Sequence, residues 1–212
     1  MVSRSEDRAA LLAVDFGIGS AGDRSSIEAC EDSILVRAAR DGDRRAFGCL
    51  YDRHARMVHG ILLARVPLRD VDDLVQDVFL LALRKLSTLR QASSLAPWLA
   101  AIARNVANDY HRHSMPEDPL AADAPDTGEG IDAAAERQAP AAWVLGVIKS
   151  LPEVYREPLI LRLVEGMTGP EIAARTGLTH GSVRVNLHRG MRQLRAKLRL
   201  NPAHNCAEPE RP

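Results

Sequence analysis

The chain has 212 residues, 46% of them hydrophobic and 26% charged, which is ordinary for a soluble protein with apolar material for two small cores. No apolar run approaches the roughly 20 residues of a membrane span, and Leu11 to Val14, closed by Asp15, is too short for a signal-peptide core, so a cytoplasmic protein without membrane insertion is expected. The formal net charge is zero, from 28 basic and 28 acidic side chains, and this balance conceals a segregation that matters for partners.

Residues 1–30 mix Gly, Ser, Asp and Arg without clear periodicity and read as a mostly disordered N-terminal extension. A helix is expected from near Ser33 to Arg40, ending at the turn signal Asp41-Gly42-Asp43. From Arg44 to Ala64 the apolar spacing is helical, with Phe47, Leu50, Tyr51, Val58, Ile61 and Leu62 on the inner face, and Pro67 breaks it. The next helix opens near Asp70 with an acidic first turn that suits the helix dipole, and its core stripe is Leu74, Val75, Val78, Leu81 and Ala82. After a Ser- and Ala-rich loop over 87–96, Pro97 fits the first position of a helix that carries Trp98, Ile102, Val106 and Tyr110 to about His113.

Residues 114–140 hold one basic and seven acidic side chains and almost nothing large and apolar, the composition of an extended, flexible linker. Around it, residues 31–113 carry 13 basic against 10 acidic groups and residues 141–200 carry 10 against 4. Two basic blocks flanking an acidic strip suggest two nucleic-acid-binding modules on a self-repelling tether. Helical spacing resumes near Ala141 and runs to about Leu200, leaving 201–212 as a tail; within it Leu151-Pro152-Glu153 starts a helix whose expected core face is Val154, Leu159, Ile160 and Leu163, and Glu165-Gly166 ends it. No strand pattern survives, so the expected fold is all-α: two small helical domains, 31–113 and 141–200, joined by the acidic linker.

The three cysteines, Cys30, Cys49 and Cys206, are not at metal-ligand spacing. His111 and His113 at i, i+2 point to different sides of a helix. No metal, cofactor, small-molecule substrate or catalytic group is indicated, and nothing resembles a nucleophile–base pair or a phosphate loop.

The segment Met167–Leu198 is the most informative. Thr168 fits an N-cap, with Pro170 and Glu171 in the first turn of a short helix ending near Thr176. Gly177 supplies the left-handed residue of a tight turn, Leu178 plugs the core, and Thr179 caps a second helix. There Val183, Leu187, Leu194 and Leu198 share one face with Met191. At about 100° per residue, Val185, His188, Arg189 and Arg192 lie on the opposite face. Gly181 and Ser182 stand at the helix start, where close approach to bases is needed, and Arg184 lies on the flank. Val185 suits a thymine methyl. The plainer alternative is an amphipathic helix with a solvated basic face; the cap, the short first helix and the Gly turn favour a helix-turn-helix that reads duplex DNA.

Leu151-Pro152-Glu153, Glu165-Gly166, Glu171-Ile172-Ala173, Gly181-Ser182-Val183-Arg184 and Leu187-His188-Arg189 resemble, in order and spacing, the C-terminal domain of bacterial sigma factors, most closely the extracytoplasmic-function group. Ala46-Phe47, Leu50-Tyr51, the string Asp72-Asp73-Leu74-Val75-Gln76-Asp77-Val78-Phe79, Pro97-Trp98-Leu99 and Ile102-Ala103-Arg104-Asn105 resemble that family's promoter-melting domain. The likeness covers roughly residues 32–113 and 141–198.

The resemblance implies a transcription initiation factor that binds core RNA polymerase and promoter DNA. The helix with Asp70, Asp72, Asp73, Gln76 and Asp77 matches the one that docks on the polymerase. Arg90, Gln91, Ser93, Ser94 and Asn105 match the segment that captures a flipped −10 base, and Arg104 and Arg112 would face phosphates. Gly181, Ser182, Arg184, Val185, His188, Arg189 and Arg192 would read the −35 element. Trp98 is expected in the core, Asp109 in a structural bond, and the linker in a basic polymerase channel or as a plain spacer. An anti-sigma factor that clamps the two domains is also implied. Two departures stand out: Asn186 replaces the Arg of many members, and the melting domain ends in His111-Arg112-His113 rather than a basic run. Rival readings are a stand-alone helix-turn-helix regulator that needs no polymerase, and a sigma-like decoy or anti-sigma partner that binds core polymerase without productive initiation.

Overall fold

In the computed structural model, the residues described are 21–114 and 140–199. The expectations for residues 1–20, the linker over 115–139 and the tail from 200 lie outside them. The described residues form eight α-helices and two short 3-10 turns, with no strand among them. The helices are α1 (Ala21–Arg40), α2 (Arg44–Leu63), α3 (Leu68–Lys85), α4 (Leu95–Ser114), α5 (Pro140–Lys149), α6 (Glu153–Leu163), α7 (Gly169–Thr176) and α8 (His180–Arg199).

Local chemistry fixes most boundaries. Asp43 caps α2 by accepting from the amides of Arg45 and Ala46 at 2.8 and 3.2 Å. Pro67 stands immediately before α3, which therefore opens at Leu68, two residues ahead of Asp70. The 3-10 turn Ala92–Ser94 leads directly into α4, so Pro97 sits inside the first turn instead of at its first position. α1 starts at Ala21, well before Ser33, and so covers residues 21–30 of the stretch expected to be disordered.

Helices α1–α4 pack around α2, and helices α5–α8 pack around α6 and α8. Both sets obey the amphipathic pattern: Val71, Val75, Val78, Phe79 and Ala82 line the buried side of α3, and Val183, Gly190 and Leu194 that of α8. Phe79 anchors a small aromatic cluster, meeting Tyr51 at 4.5 Å and Phe47 edge-on at 6.4 Å between ring centroids. Trp98 packs against the core, as expected.

The two halves also pack on each other. Helix α2 meets α6, α4 meets α7, and α1 meets α7. The buried apolar side chains of both halves form one continuous cluster, not two. This accounts for an error in reading α6, where Val154 and Leu163 were expected in the core. They are 60% and 45% exposed. The buried residues are Glu157, Pro158, Leu159, Ile160 and Leu161, because α6 is covered by α8 on one side and by α2 on the other. Among the described residues no helix is long and apolar enough to cross a membrane.

Candidate nucleic-acid interface

The helix-turn-helix is assembled by three local devices. Thr168 caps α7 through a reciprocal box: the amide of Glu171 donates to its hydroxyl at 3.4 Å, and its own amide donates to Glu171 Oε2 at 2.7 Å. Gly177 ends α7 at φ +75°, a left-handed conformation that an L side chain adopts only at a cost. Thr179 then accepts from the amide of Ser182 at 3.1 Å and starts α8.

Gly190 lets α8 lie close on α6: a Cβ there would meet Leu159 Cδ1 at 3.0 Å and Tyr155 Cβ at 3.1 Å. With Val183, Gly190 and Leu194 buried, the opposite side of α8 is presented outward. Gly181, Ser182, Arg184, Val185, His188, Arg189 and Arg192 are all exposed, and Asn186 is half-buried. Helix α8 contains no acidic residue. The face is therefore positive, small at its N-terminal end and unobstructed, which suits a phosphate-lined major groove.

The first half presents its candidates less uniformly. Arg90, Gln91 and Ser93 are exposed around the Ala92–Ser94 turn, Ser94 is half-buried, and Asn105 is exposed on α4. Arg112 is exposed and pairs with Asp109 one turn back, the structural bond expected of that aspartate. On α3, Asp72, Asp73, Gln76 and Asp77 are exposed along one side. Asp70 differs from them, since it accepts a 2.7 Å hydrogen bond from the Tyr110 hydroxyl and ties α3 to α4.

Arg104 is the outlier. It lies at the seam between the halves, where its Nε and Nη2 donate to Glu157 at 3.1 and 2.6 Å and Nη2 also donates to the Thr176 carbonyl at 3.1 Å. Arg65 reaches the same carboxylate at 3.1 Å and pairs with Glu153. Within α2, N-terminal to Arg65, His59 Nδ1 donates to Glu165 at 2.7 Å beside Arg56. Arg175 donates to the Arg53 carbonyl at 3.2 Å, and Lys149 to the Val66 carbonyl at 2.7 Å.

None of these cross-seam partners was identified from sequence. They lie 53 to 122 residues apart, beyond any local spacing rule. One signal was present: the run Pro158-Leu159-Ile160-Leu161 is wider than a single apolar stripe, and a short helix apolar on several sides is covered on several sides.

Residues 50–115 match the family model described as Sigma-70 region 2, and residues 141–194 match Sigma-70 region 4. The chain is 35% identical over 162 residues to the RNA polymerase sigma factor CarQ of Myxococcus xanthus, with 75% of this chain and 92% of that one covered. It is 31% identical over 186 residues to the ECF RNA polymerase sigma-E factor of Haemophilus influenzae, with 81% and 97% covered. Among solved structures, that of CnrH in complex with the cytosolic domain of CnrY matches with a TM-score of 0.59 at 29% identity, over 81% of this chain and 99% of that one. Two consecutive family matches, relatives covered almost end to end and an exposed basic recognition helix lead to one conclusion: the chain belongs to the extracytoplasmic-function group of bacterial RNA polymerase sigma factors, which direct core polymerase to promoters.

Proposed function

We propose that promoter recognition is divided among three surfaces of this chain. Gly181, Ser182, Arg184, Val185, His188, Arg189 and Arg192 of α8 enter the major groove of the −35 element. Arg90, Gln91, Ser93, Ser94 and Asn105, with Arg104 and Arg112 on backbone phosphates, hold the melted −10 strand. Asp72, Asp73, Gln76 and Asp77 of α3 dock on the core enzyme, while Asp70 holds α3 to α4. The observation that carries the reading is the continuous exposed face of α8, free of acidic side chains and aimed away from the core.

The chain supplies binding and positioning in the cytoplasm, and the polymerase supplies the nucleotidyl transfer. The complex of CnrH with the cytosolic domain of CnrY supports a protein partner for this chain, which we take to be an anti-sigma factor.

In vitro transcription with purified core polymerase tests the assignment. The chain is expected to stimulate specific transcripts, and duplex binding without any stimulation would favour a stand-alone regulator. Replacing Arg189 by Ala is expected to weaken promoter binding by about 1–3 kcal/mol if it reads a base, and to flatten the log–log salt slope by about 0.9 if it neutralises a phosphate. Unchanged affinity and slope would remove Arg189 from the interface.

A further inference from the structure

The segment between α3 and α4 carries Arg90, Gln91, Ser93 and Ser94 and has little regular structure of its own. It consists of two single 3-10 turns, Leu86–Thr88 and Ala92–Ser94, separated by extended backbone at Leu89 (φ −66°, ψ 110°) and Gln91 (φ −120°, ψ 114°). Its internal bonds are short-range. The Leu89 amide donates to the Leu86 carbonyl at 3.3 Å, the Ser94 amide to the Gln91 carbonyl at 3.0 Å, and the Thr88 hydroxyl to the Lys85 carbonyl at 2.7 Å. Such bonds set each turn but not the angle between the turns. The buried side chains of Leu86 and Leu89 anchor the first turn, whereas Arg90 and Gln91 after it are exposed.

Arg40 supplies a constraint across the segment. From the last residue of α1, its Nε donates to the Leu86 carbonyl at 3.1 Å and its Nη2 donates to the Leu89 carbonyl, 46 and 49 residues away in sequence. The second bond matters most. The Leu89 carbonyl belongs to the planar peptide group that joins Leu89 to Arg90, so holding it fixes the plane from which Arg90 and Gln91 set out. A guanidinium suits this task, because its donors lie in one rigid plane and bridge two carbonyls more firmly than a single ammonium can.

The support is rigid as well. Helix α1 ends in a paired turn in which the Asp43 amide donates to the Ala38 carbonyl at 3.0 Å and the Gly42 amide to the Ala39 carbonyl at 3.2 Å, with Gly42 at φ +96°. Asp43 then caps α2. Arg40 therefore reaches the segment from a corner fixed on both sides, and α1 also packs against both of the 3-10 turns.

We propose that Arg40 is the positioning residue of strand capture: it clamps the Leu86 and Leu89 carbonyls and so holds Arg90, Gln91, Ser93 and Ser94 in the arrangement that receives the melted −10 strand before DNA arrives. This rests on the reading of those four residues as the strand-capturing segment. Arg40 itself touches no nucleotide. Its contribution is preorganisation, since a segment already ordered loses less freedom on binding than one that must be ordered by its ligand.

Holoenzyme assembled from core polymerase and the full-length chain tests the proposal. The probe is a fork of a promoter that this holoenzyme transcribes, with a duplex −35 element and a single-stranded −10 extension. Arg40→Ala is expected to bind the fork about tenfold more weakly, as for a segment that is competent about a tenth of the time, and its preference for the promoter's own −10 bases should narrow. Affinity for core polymerase and for the −35 duplex alone should not change. Arg40→Lys is expected to recover part of both losses. In the free chain, hydrogen exchange at the amides of residues 89–94 should speed up in Arg40→Ala and stay as in the wild type elsewhere. Wild-type fork affinity and base preference in Arg40→Ala overturn the proposal. A log–log salt slope flatter by about 0.7 in Arg40→Ala overturns it too, because Arg40 would then be a phosphate contact in its own right. Gln91→Ala separates the underlying reading. If Gln91→Ala loses base preference while Arg40→Ala keeps it, the segment reads the strand and only the role of Arg40 fails. If neither variant changes base preference while exchange still rises in Arg40→Ala, the assignment of the segment to the −10 strand fails, and the proposal with it.

Discussion

Asp32 and His54 show how a single pair joins packing to charge in this protein. His54 Nε2 donates to Asp32 Oδ2 at 2.9 Å, both side chains are buried, and Arg53 lies 3.3 Å from the other carboxylate oxygen. Burial pushes the Asp32 carboxyl up, but the hydrogen bond and charge of His54, together with Arg53, outweigh it and hold the group below its ordinary value of 3.8. A carboxyl lowered in the folded state contributes stability that is present above its unfolded value and lost as pH falls through the folded one. Asp32→Asn is therefore expected to lower stability at pH 7 by about 1.5–3 kcal/mol, the scale of a hydrogen bond to a charged group. That difference should shrink below about pH 4, where the wild-type carboxyl also becomes neutral. Thermal melts of both proteins from pH 7 to pH 3 check it, and curves that stay parallel across the range would show that Asp32 is not the titrating group. The pair was not legible in the sequence, because Asp32 precedes the expected helix start at Ser33 and its partner lies 22 residues away.

At the scale of elements, the helix-turn-helix was legible almost to the residue, and the reason is physical. Its signals are local: the Thr168 cap, the left-handed Gly177, the Thr179 cap and the apolar spacing of Val183, Leu187 and Leu194 all act within one or two turns. Helix α6 was misread because its environment is set by a distant partner, and propensity carries no information about a second covering surface. Gly190 belongs to the same class. Its exchange for Ala adds a methyl about 3 Å from Leu159 and Tyr155, an overpacking that costs about 1–3 kcal/mol. The gain in helix propensity offsets about 1 kcal/mol of that. Gly190→Ala is expected to lower the denaturation midpoint and to tilt α8, weakening −35 duplex binding although the residue touches no DNA. Gly181→Ala is the matched control, since nothing lies within 4 Å of a Cβ there in the free chain. Its folding stability should hold or rise, and any loss of duplex affinity would then report close approach of DNA to that position. Equal stability losses for the two would disconnect Gly190 from the α6–α8 contact.

For the whole molecule, the zero net charge is the sum of two basic halves, an acidic connection and two mildly acidic terminal segments, and like-charged halves do not approach each other without cause. Closure is favoured because the seam converts part of that repulsion into pairs. Arg104 with Glu157 and His59 with Glu165 have their carboxylates out of water, whereas Glu153 of the Arg65 pair is exposed. Salt screens exposed pairs over about 10 Å at 0.1 M but reaches buried ones poorly, and the apolar contacts of Leu161 with α2 are not screened at all. DNA binding through the arginines of α8 depends on released counterions and falls steeply with salt. The two events therefore respond differently to ionic strength. Between about 0.1 and 0.5 M salt, on the screening scale just given, the radius of gyration of the free chain is expected to stay nearly constant while promoter duplex affinity drops by orders of magnitude. A chain that expands over this range would mean that the exposed Arg65–Glu153 pair, and not the buried carboxylates, holds the halves together. Glu153→Gln should then expand the chain as strongly as Glu157→Gln, whereas buried control predicts that only Glu157→Gln does so.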